Sequence, residues 1–356
     1  MRRVAVGFGA VAVAAVAATL ALGGSRTTGA YTVDRLVSDG GVPAAAHDRD
    51  LVNAWGLAAE PGGAWWTANE ANDSSTLYSA QGRKQLLTVT VPGGPTGIAY
   101  NAGQGFRISA NGTSAPARFV FACEDGTLRA WSPVVPRGWS TKSEVAVDLG
   151  AQASVFRGLA IAGNRLYATD FHNARVDVFD SHWRQLKVPG AFTDPRVPAW
   201  FAPFGIAVLD GHVFVTYIGR APVDGNDAPT GGYVDEFDLN GKLVQRIAAM
   251  GPLNAPWGLA LAPTGFGRYG GDLLVGDFGD GKINAFRRTG GGWSLEGPLE
   301  GRNGKPIVLS GLWALAFGRG GATGGSDRLF FSSGPHAWRG PTELGVHGLL
   351  GSIAPA

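Results

Sequence analysis

Beyond residue 30 the chain alternates short apolar runs with breaks of Gly, Pro, Asn and Asp. Runs such as Phe119-Val120-Phe121-Ala122-Cys123 and Val213-Phe214-Val215-Thr216-Tyr217 have strand length and strand composition, and no long 3.6-residue period competes with them. The runs recur in six copies. Each copy opens on one variable residue followed by Gly-[Leu/Ile]-Ala: Trp55-Gly56-Leu57-Ala58, Thr96-Gly97-Ile98-Ala99, Arg157-Gly158-Leu159-Ala160, Phe204-Gly205-Ile206-Ala207 and Trp257-Gly258-Leu259-Ala260. The sixth copy, Trp313-Ala314-Leu315-Ala316, has Ala in place of Gly. A second run then ends in a polar residue, and after a turn a third run follows. Gly56 to Ala314 is 258 positions over five steps, about 52 per copy.

Strand-rich repeats of this length read as propeller blades, each a small sheet that must stack on its neighbours to bury its faces. The pattern therefore predicts an all-β, six-bladed β-propeller preceded by a signal peptide. The small residues of the motif let six inner strands crowd around one axis. Tyr31-Thr32-Val33-Asp34-Arg35-Leu36-Val37 is expected to close the ring as an outer strand on the blade formed by the C-terminus. In the long interval from 97 to 158, Val145-Ala146-Val147-Asp148-Leu149 reads as an outer strand rather than as part of a seventh blade.

The first thirty residues form a separate object. Met1-Arg2-Arg3, the apolar stretch Val4 to Leu22 and the small residues Thr28-Gly29-Ala30 make a secretory signal pattern. Residues 1–30 are read as a signal peptide and 31–356 as a single propeller domain, which places the protein outside the cell or at the cell envelope. A retained anchor is the competing reading, because nineteen apolar residues nearly span a bilayer. Nothing after the leader reads as a membrane span. Thirty Lys and Arg against 28 Asp and Glu give +2, and without Arg2, Arg3 and Arg26 the balance is 27 against 28, or −1. That balance argues against a nucleic-acid partner. A single cysteine, Cys123, excludes an intrachain disulfide and reads as a buried small hydrophobe. The expected state is a monomer.

Propeller topology brings the start of each inner strand and the end of each second strand to one mouth of the central channel. The inner ring is Trp55, Thr96, Arg157, Phe204, Trp257 and Trp313, and the outer ring is Asn69, Glu124, Asp170, Tyr217, Asp277 and Ser333. Asn53 and Asn254 sit on approach loops, with His172 and Asp280 in nearby turns. Such an aromatic floor ringed by carboxylates suits a sugar, an amine or an amphipathic ligand. The alternative is structural: the aromatics plug the channel while Asp and Asn cap their own turns. Arg157 requires a carboxylate or an anionic ligand, and Asp170 in its own blade is the expected partner.

The stretches Leu36-Val37-Ser38-Asp39, Asn53-Ala54-Trp55-Gly56-Leu57, Thr169-Asp170-Phe171-His172-Asn173 and Leu253-Asn254-Ala255-Pro256-Trp257-Gly258-Leu259-Ala260 carry a resemblance. So do Gly279-Asp280-Gly281-Lys282-Ile283-Asn284-Ala285-Phe286 and Gly311-Leu312-Trp313-Ala314-Leu315-Ala316-Phe317-Gly318. They resemble a family of exported bacterial six-bladed propellers of uncharacterised function, within the NHL-like and gluconolactonase-like superfamily. That resemblance implies the fold and brings no established chemistry. The gluconolactonase-like branch holds a divalent metal on axial Glu, Asn and Asp. Here the matching contexts are Pro95-Thr96-Gly97, Pro203-Phe204-Gly205 and Pro256-Trp257-Gly258, and Phe and Trp cannot ligate a metal.

Hydrolase elbows, zincin motifs, phosphate loops and dinucleotide fingerprints are absent from the sequence. Asp224-Gly225-Asn226-Asp227 lacks the later Glu of a calcium loop. His172 and His336 read as solvated turn residues. The expectation is an exported binding module, its partner a small molecule, a glycan or a protein, with the candidate site at Asn53, Trp55, Arg157, Asp170, His172, Phe204, Trp257, Asp277 and Trp313. No catalytic residue and no cofactor is assigned. The alternative is a hydrolase or lactonase working through the mouth carboxylates, with calcium at Glu124, Asp170 and Asp277 as the weaker metal reading.

Overall fold

The computed structural model describes residues 29–220, 231–339 and 342–356, and the side chains of all of these except 336–345. The leader up to residue 28, the Asp224–Asp227 segment and the side chain of His336 lie outside the described residues.

Six antiparallel sheets surround one axis. Blade one is Ala54–Ala58, Trp65–Asn69, Ser74–Tyr78 and Lys84–Thr90. Blade two is Pro95–Tyr100, Phe119–Cys123, Thr127–Trp131 and Glu144–Asp148. Blade three is Phe156–Ala162, Arg165–Asp170, Arg175–Asp180 and Gln185–Leu186. Blade four is Phe201–Leu209, His212–Gly219, Tyr233–Phe237 and Leu243–Ala249. Blade five is Pro256–Leu261, Leu273–Asp277, Ile283–Thr289 and Gly292–Pro298. Blade six is Leu312–Phe317, Leu329–Ser333 and Leu349–Pro355, completed by the N-terminal strand Ala30–Ser38.

The closure expected from the sequence is present. Ala30–Ser38 runs antiparallel to Leu349–Pro355, with Tyr31 opposite Pro355 and Ser38 opposite Leu349. The outer strand of blade two is Glu144–Asp148, with Val147 opposite Leu128. Part of the extra length of this blade is a hairpin, Arg107–Ala110 with Thr113–Pro116, inserted between its first and second strands. Its turn is Asn111-Gly112, both at positive φ (48° and 76°), the two-residue turn that matches strand twist.

The core is divided into layers between blades. Trp66 of blade one stacks on Phe119 of blade two at 4.1 Å, with Trp131 at 4.8 Å. Comparable apolar layers fill the other inter-blade spaces, and Tyr31 of the closing strand joins the layer between blades five and six. The layer that joins blade six to blade one also contains the axial rings Trp55, Phe204, Trp257 and Trp313.

The repeated motif has a geometric cause. In all six blades the pairing of first and second strands skips register at the residue before the small one: Trp55, Thr96, Arg157, Phe204, Trp257 and Trp313. Such a bulge bends the inner strand and re-aims that side chain. The following glycine faces the next blade at a distance no side chain tolerates. A Cβ would lie 2.4 Å from Thr96 O at Gly56, 2.8 Å from Phe204 O at Gly158, 2.1 Å from Trp257 O at Gly205 and 2.4 Å from Trp313 O at Gly258. Hydroxyls on the second strands staple the ring at the same level. Thr169 accepts from Gly158 N–H (2.7 Å) and donates to Phe204 O (2.8 Å). Ser332 accepts from Ala314 N–H (3.1 Å) and donates to Trp55 O. The aliphatic residue after each small one, Leu57, Ile98, Leu159, Ile206, Leu259 and Leu315, keeps a 6–9% edge of exposure toward the axis.

Candidate functional site

The bulges deliver the axial rings into one cluster. Trp55 and Trp313 stack at 3.8 Å, and Trp257 meets Trp313 edge-on at 6.0 Å. Phe204 meets Trp55 edge-on at 6.5 Å, while Phe278 stacks on Trp313 at 4.1 Å. Trp55, Phe204, Trp257 and Trp313 are all buried. Tight ring packing of this kind adds to simple area burial. Thr96, the small member of the inner ring, is buried and donates to Phe156 O.

Arg157 is the one charged residue of the inner ring. Its guanidinium lies over the rings of Trp55 (5.2 Å) and Phe171 (5.5 Å) and is ion-paired with Glu124 of blade two. The expected partner, Asp170, is a correction. Its Oδ1 accepts the N–H groups of Val155 and Asn173 (3.2 Å each), and its Oδ2 accepts Asn173 Nδ2 (2.7 Å) and faces Arg175 (3.3 Å). The turn after the second strand takes up that carboxylate before it can reach the axis. Glu124 keeps 32% of its side-chain exposure and Arg157 13%, so the pair sits at the open edge of the cluster.

The remaining candidates divide by what holds them. Asn53, in a left-handed conformation (φ 46°), donates to Glu70 (2.7 Å) and accepts from Trp313 Nε1 (3.0 Å), locking one ring. Asp277 is fully buried, accepting Asn254 N–H (3.0 Å) and Asn284 Nδ2 (2.7 Å). His172 is exposed, and its carbonyl accepts from Arg220 (2.9 Å). Asn69 is buried against Ser74 and Thr76, while the hydroxyls of Tyr217 and Ser333 are buried without a partner. Within the cluster itself Trp55 Nε1, Trp257 Nε1 and Arg157 Nε are likewise buried and unpartnered. Cys123 is fully buried on its strand, and burial pushes its thiol pKa well up.

Burial pushes the Asp277 carboxyl well above its ordinary 3.8, the Asp280 charge adds to the rise, and the donors offset only part of it. A raised acid loses its native-state advantage as pH rises above the unfolded value. Asp277→Asn should therefore gain stability relative to the parent as pH is taken from below 3.8 to 7, measured by urea unfolding at both ends. A difference that does not change with pH contradicts this.

The three carboxylates Glu124, Asp170 and Asp277 do not form a shared cation site. Each is engaged in a different blade, and among the described residues no group of three or more His, Cys, Asp or Glu side chains could hold a metal ion. A calcium ion requires six to eight convergent oxygens, which this donor set does not fit.

Behind the rings the axis opens into a channel of about 260 Å³ that runs along the inner strands from Trp257 toward Tyr100, Phe317 and Arg319 on the opposite face. Trp55, Phe204 and Trp313 do not line it. The rings thus separate two compartments, a mouth carrying Arg157 and Glu124 and a channel behind Trp257. The sequence suggested only the first. The signal for the second was the aliphatic residue that follows the small residue of each motif, Gly in five blades and Ala314 in the sixth.

No helix among the described residues is long and apolar enough to cross a membrane. No protein-family model matches the chain. Virginiamycin B lyase from Staphylococcus aureus superposes with a TM-score of 0.52 at 13% identity, covering 91% of this chain and 99% of that one. The soluble aldose sugar dehydrogenase of Escherichia coli gives 0.53 at 12% identity, covering 92% and 100%. At these identities the likeness is one of fold alone, the β-propeller. Two relatives from Acanthamoeba polyphaga mimivirus are much nearer in sequence. Uncharacterized protein L690 is 34% identical over 309 residues, 83% of this chain and 80% of its own length. Uncharacterized protein R648 is 35% identical over 310 residues, 83% of this chain and 75% of its own. The chain belongs to the same family as these two mimivirus proteins.

Proposed function

We propose that the protein is an exported, monomeric binding module whose ligand sits at the mouth of the propeller. The observation that carries this reading is Arg157, held between the faces of Trp55 and Phe171 at the edge of a packed aromatic floor, with a partly exposed Glu124 as its ion-pair partner. A ligand with a flat apolar or C–H-rich face would lie against the rings. Its anionic or strongly polar group would compete with Glu124 for the guanidinium. A small molecule or a glycan terminus meets that description, and a protein loop bearing such a group would do the same. Export rests on the leader sequence, and cell fractionation with mass-spectrometric identification of the mature N-terminus tests it.

The tryptophans provide the readout. Titration with a panel of glycans and small organic acids, followed by intrinsic fluorescence, should find a ligand whose affinity falls at least about tenfold in Arg157→Gln. Binding should not change on adding EDTA. Binding that requires calcium and is lost in both Glu124→Ala and Asp170→Ala would favour the lactonase-like enzyme instead. Binding that ignores Arg157 altogether would remove the mouth as the site.

A further inference from the structure

We propose that the channel behind the rings is a second binding compartment, which takes a slender polyhydroxylated carboxylate entering from the face opposite the mouth. This inference is independent of the mouth reading. The inner strand ends the pairing order of every blade, so six strands turn an unpaired edge toward the axis. Peptide N–H and C=O groups on such an edge require hydrogen-bonding partners. An alkyl chain in the channel would leave them unmet, whereas hydroxyls on successive carbons can serve them. The exposed slivers of the six aliphatic side chains and the ring of Trp257 offer surface for C–H groups between those hydroxyls. A cavity of about 260 Å³ has room for one linear five-carbon sugar acid.

The far rim supplies the charge. Arg319 lines the channel, is exposed, and makes no ion pair among the described residues. Tyr100 lines the same channel and carries Arg118 over its ring at 5.2 Å, with Arg118 bonded to Glu60 at 2.7 Å. Arg118 is thus neutralised by Glu60, and Arg319 is left as the guanidinium suited to a carboxylate head.

Calorimetric titration of the full chain with D-xylonate tests the assignment, with xylitol (no carboxylate) and hexanoate (no hydroxyls) as paired controls. The expected result is xylonate binding, with both controls at least about tenfold weaker. Arg319→Gln, an exposed change, should weaken xylonate by about 10- to 100-fold without moving the thermal midpoint. Ala207→Leu, which narrows the channel wall, should weaken it also; if that variant does not fold, Arg319→Gln decides alone. Hexanoate binding as tightly as xylonate, an unchanged affinity in Arg319→Gln, binding undiminished in a folded Ala207→Leu, or no xylonate binding at about 10 mM would each overturn the proposal.

Discussion

Gly205→Ala is expected to destabilise the propeller by about 3 kcal/mol or more, or to prevent its folding. The added Cβ would lie 2.1 Å from the carbonyl oxygen of Trp257 and 3.0 Å from the hydroxyl of Thr216. The first obstacle is backbone in the neighbouring inner strand, so no side-chain rotation relieves it. Separating the blades would loosen the axial ring packing and the bond from Gly205 N–H to Thr216 (2.8 Å). Interiors packed at crystal-like density do not absorb such a displacement locally. The control is built into the sequence. Position 314 holds Ala at the same place in the sixth blade, and Ala314→Gly should cost only about 0.5–1 kcal/mol through backbone entropy. Urea unfolding of both variants makes the comparison. A Gly205→Ala protein within about 0.5 kcal/mol of its parent would contradict the close-approach explanation of the motif.

Glu236→Ala should be nearly as damaging, at about 3 kcal/mol. Glu236 is fully buried on the third strand of blade four. Its carboxylate accepts from Gln245 (2.7 Å), His212, Arg288 (2.6 Å) and Trp293 (3.1 Å). Gln245 lies in its own blade, while Arg288 and Trp293 belong to blade five, so the carboxylate ties the two blades together. Arg288 keeps about half of its exposure and can be rescued by solvent, which holds the cost to the lower end of the range for broken buried pairs. Burial pushes this carboxyl up, but the donors outweigh burial, and its pKa lies below the ordinary 4.5. The sign follows from linkage. A depressed acid stabilises fully above its unfolded value, and the contribution disappears as pH falls through the folded one. The gap between parent and Glu236→Ala should therefore be complete at pH 7 and shrink as pH drops below 4.5. A gap that widens on acidification would contradict it.

These two residues also show what a sequence makes visible. Gly205 belongs to a repeated motif, and its period alone leads to six sheets, a crowded axis and a closing strand at Tyr31–Val37. Glu236 carries no such mark, because its partners are set by the stacking of one blade on the next. The same holds for Glu124 and Arg157, which lie 33 positions apart in different blades and meet only when the ring closes. Asp170 looked like the partner because it shares a blade with Arg157, yet the demand of its own turn for an acceptor outweighs the axial charge. The hairpin in blade two was missed: its Asn111-Gly112 turn is a hairpin signal, but the polar character of its strands hid it. The hydroxyl staples at Thr169 and Ser332 follow from the bulge geometry, which a linear motif does not display.

Both proposed binding sites depend on the packed axial rings dividing the axis into two compartments. An experimental high-resolution electron-density map along that axis tests it most directly. The expected map shows Trp55, Phe204, Trp257 and Trp313 in mutual contact, with Arg157 between Trp55 and Phe171 on Glu124. Solvent or ligand density should appear only beside Arg157 and beyond Trp257. A continuous open channel with the indoles turned into the inter-blade layers, or Arg157 drawn into the turn against Asp170, would contradict the account.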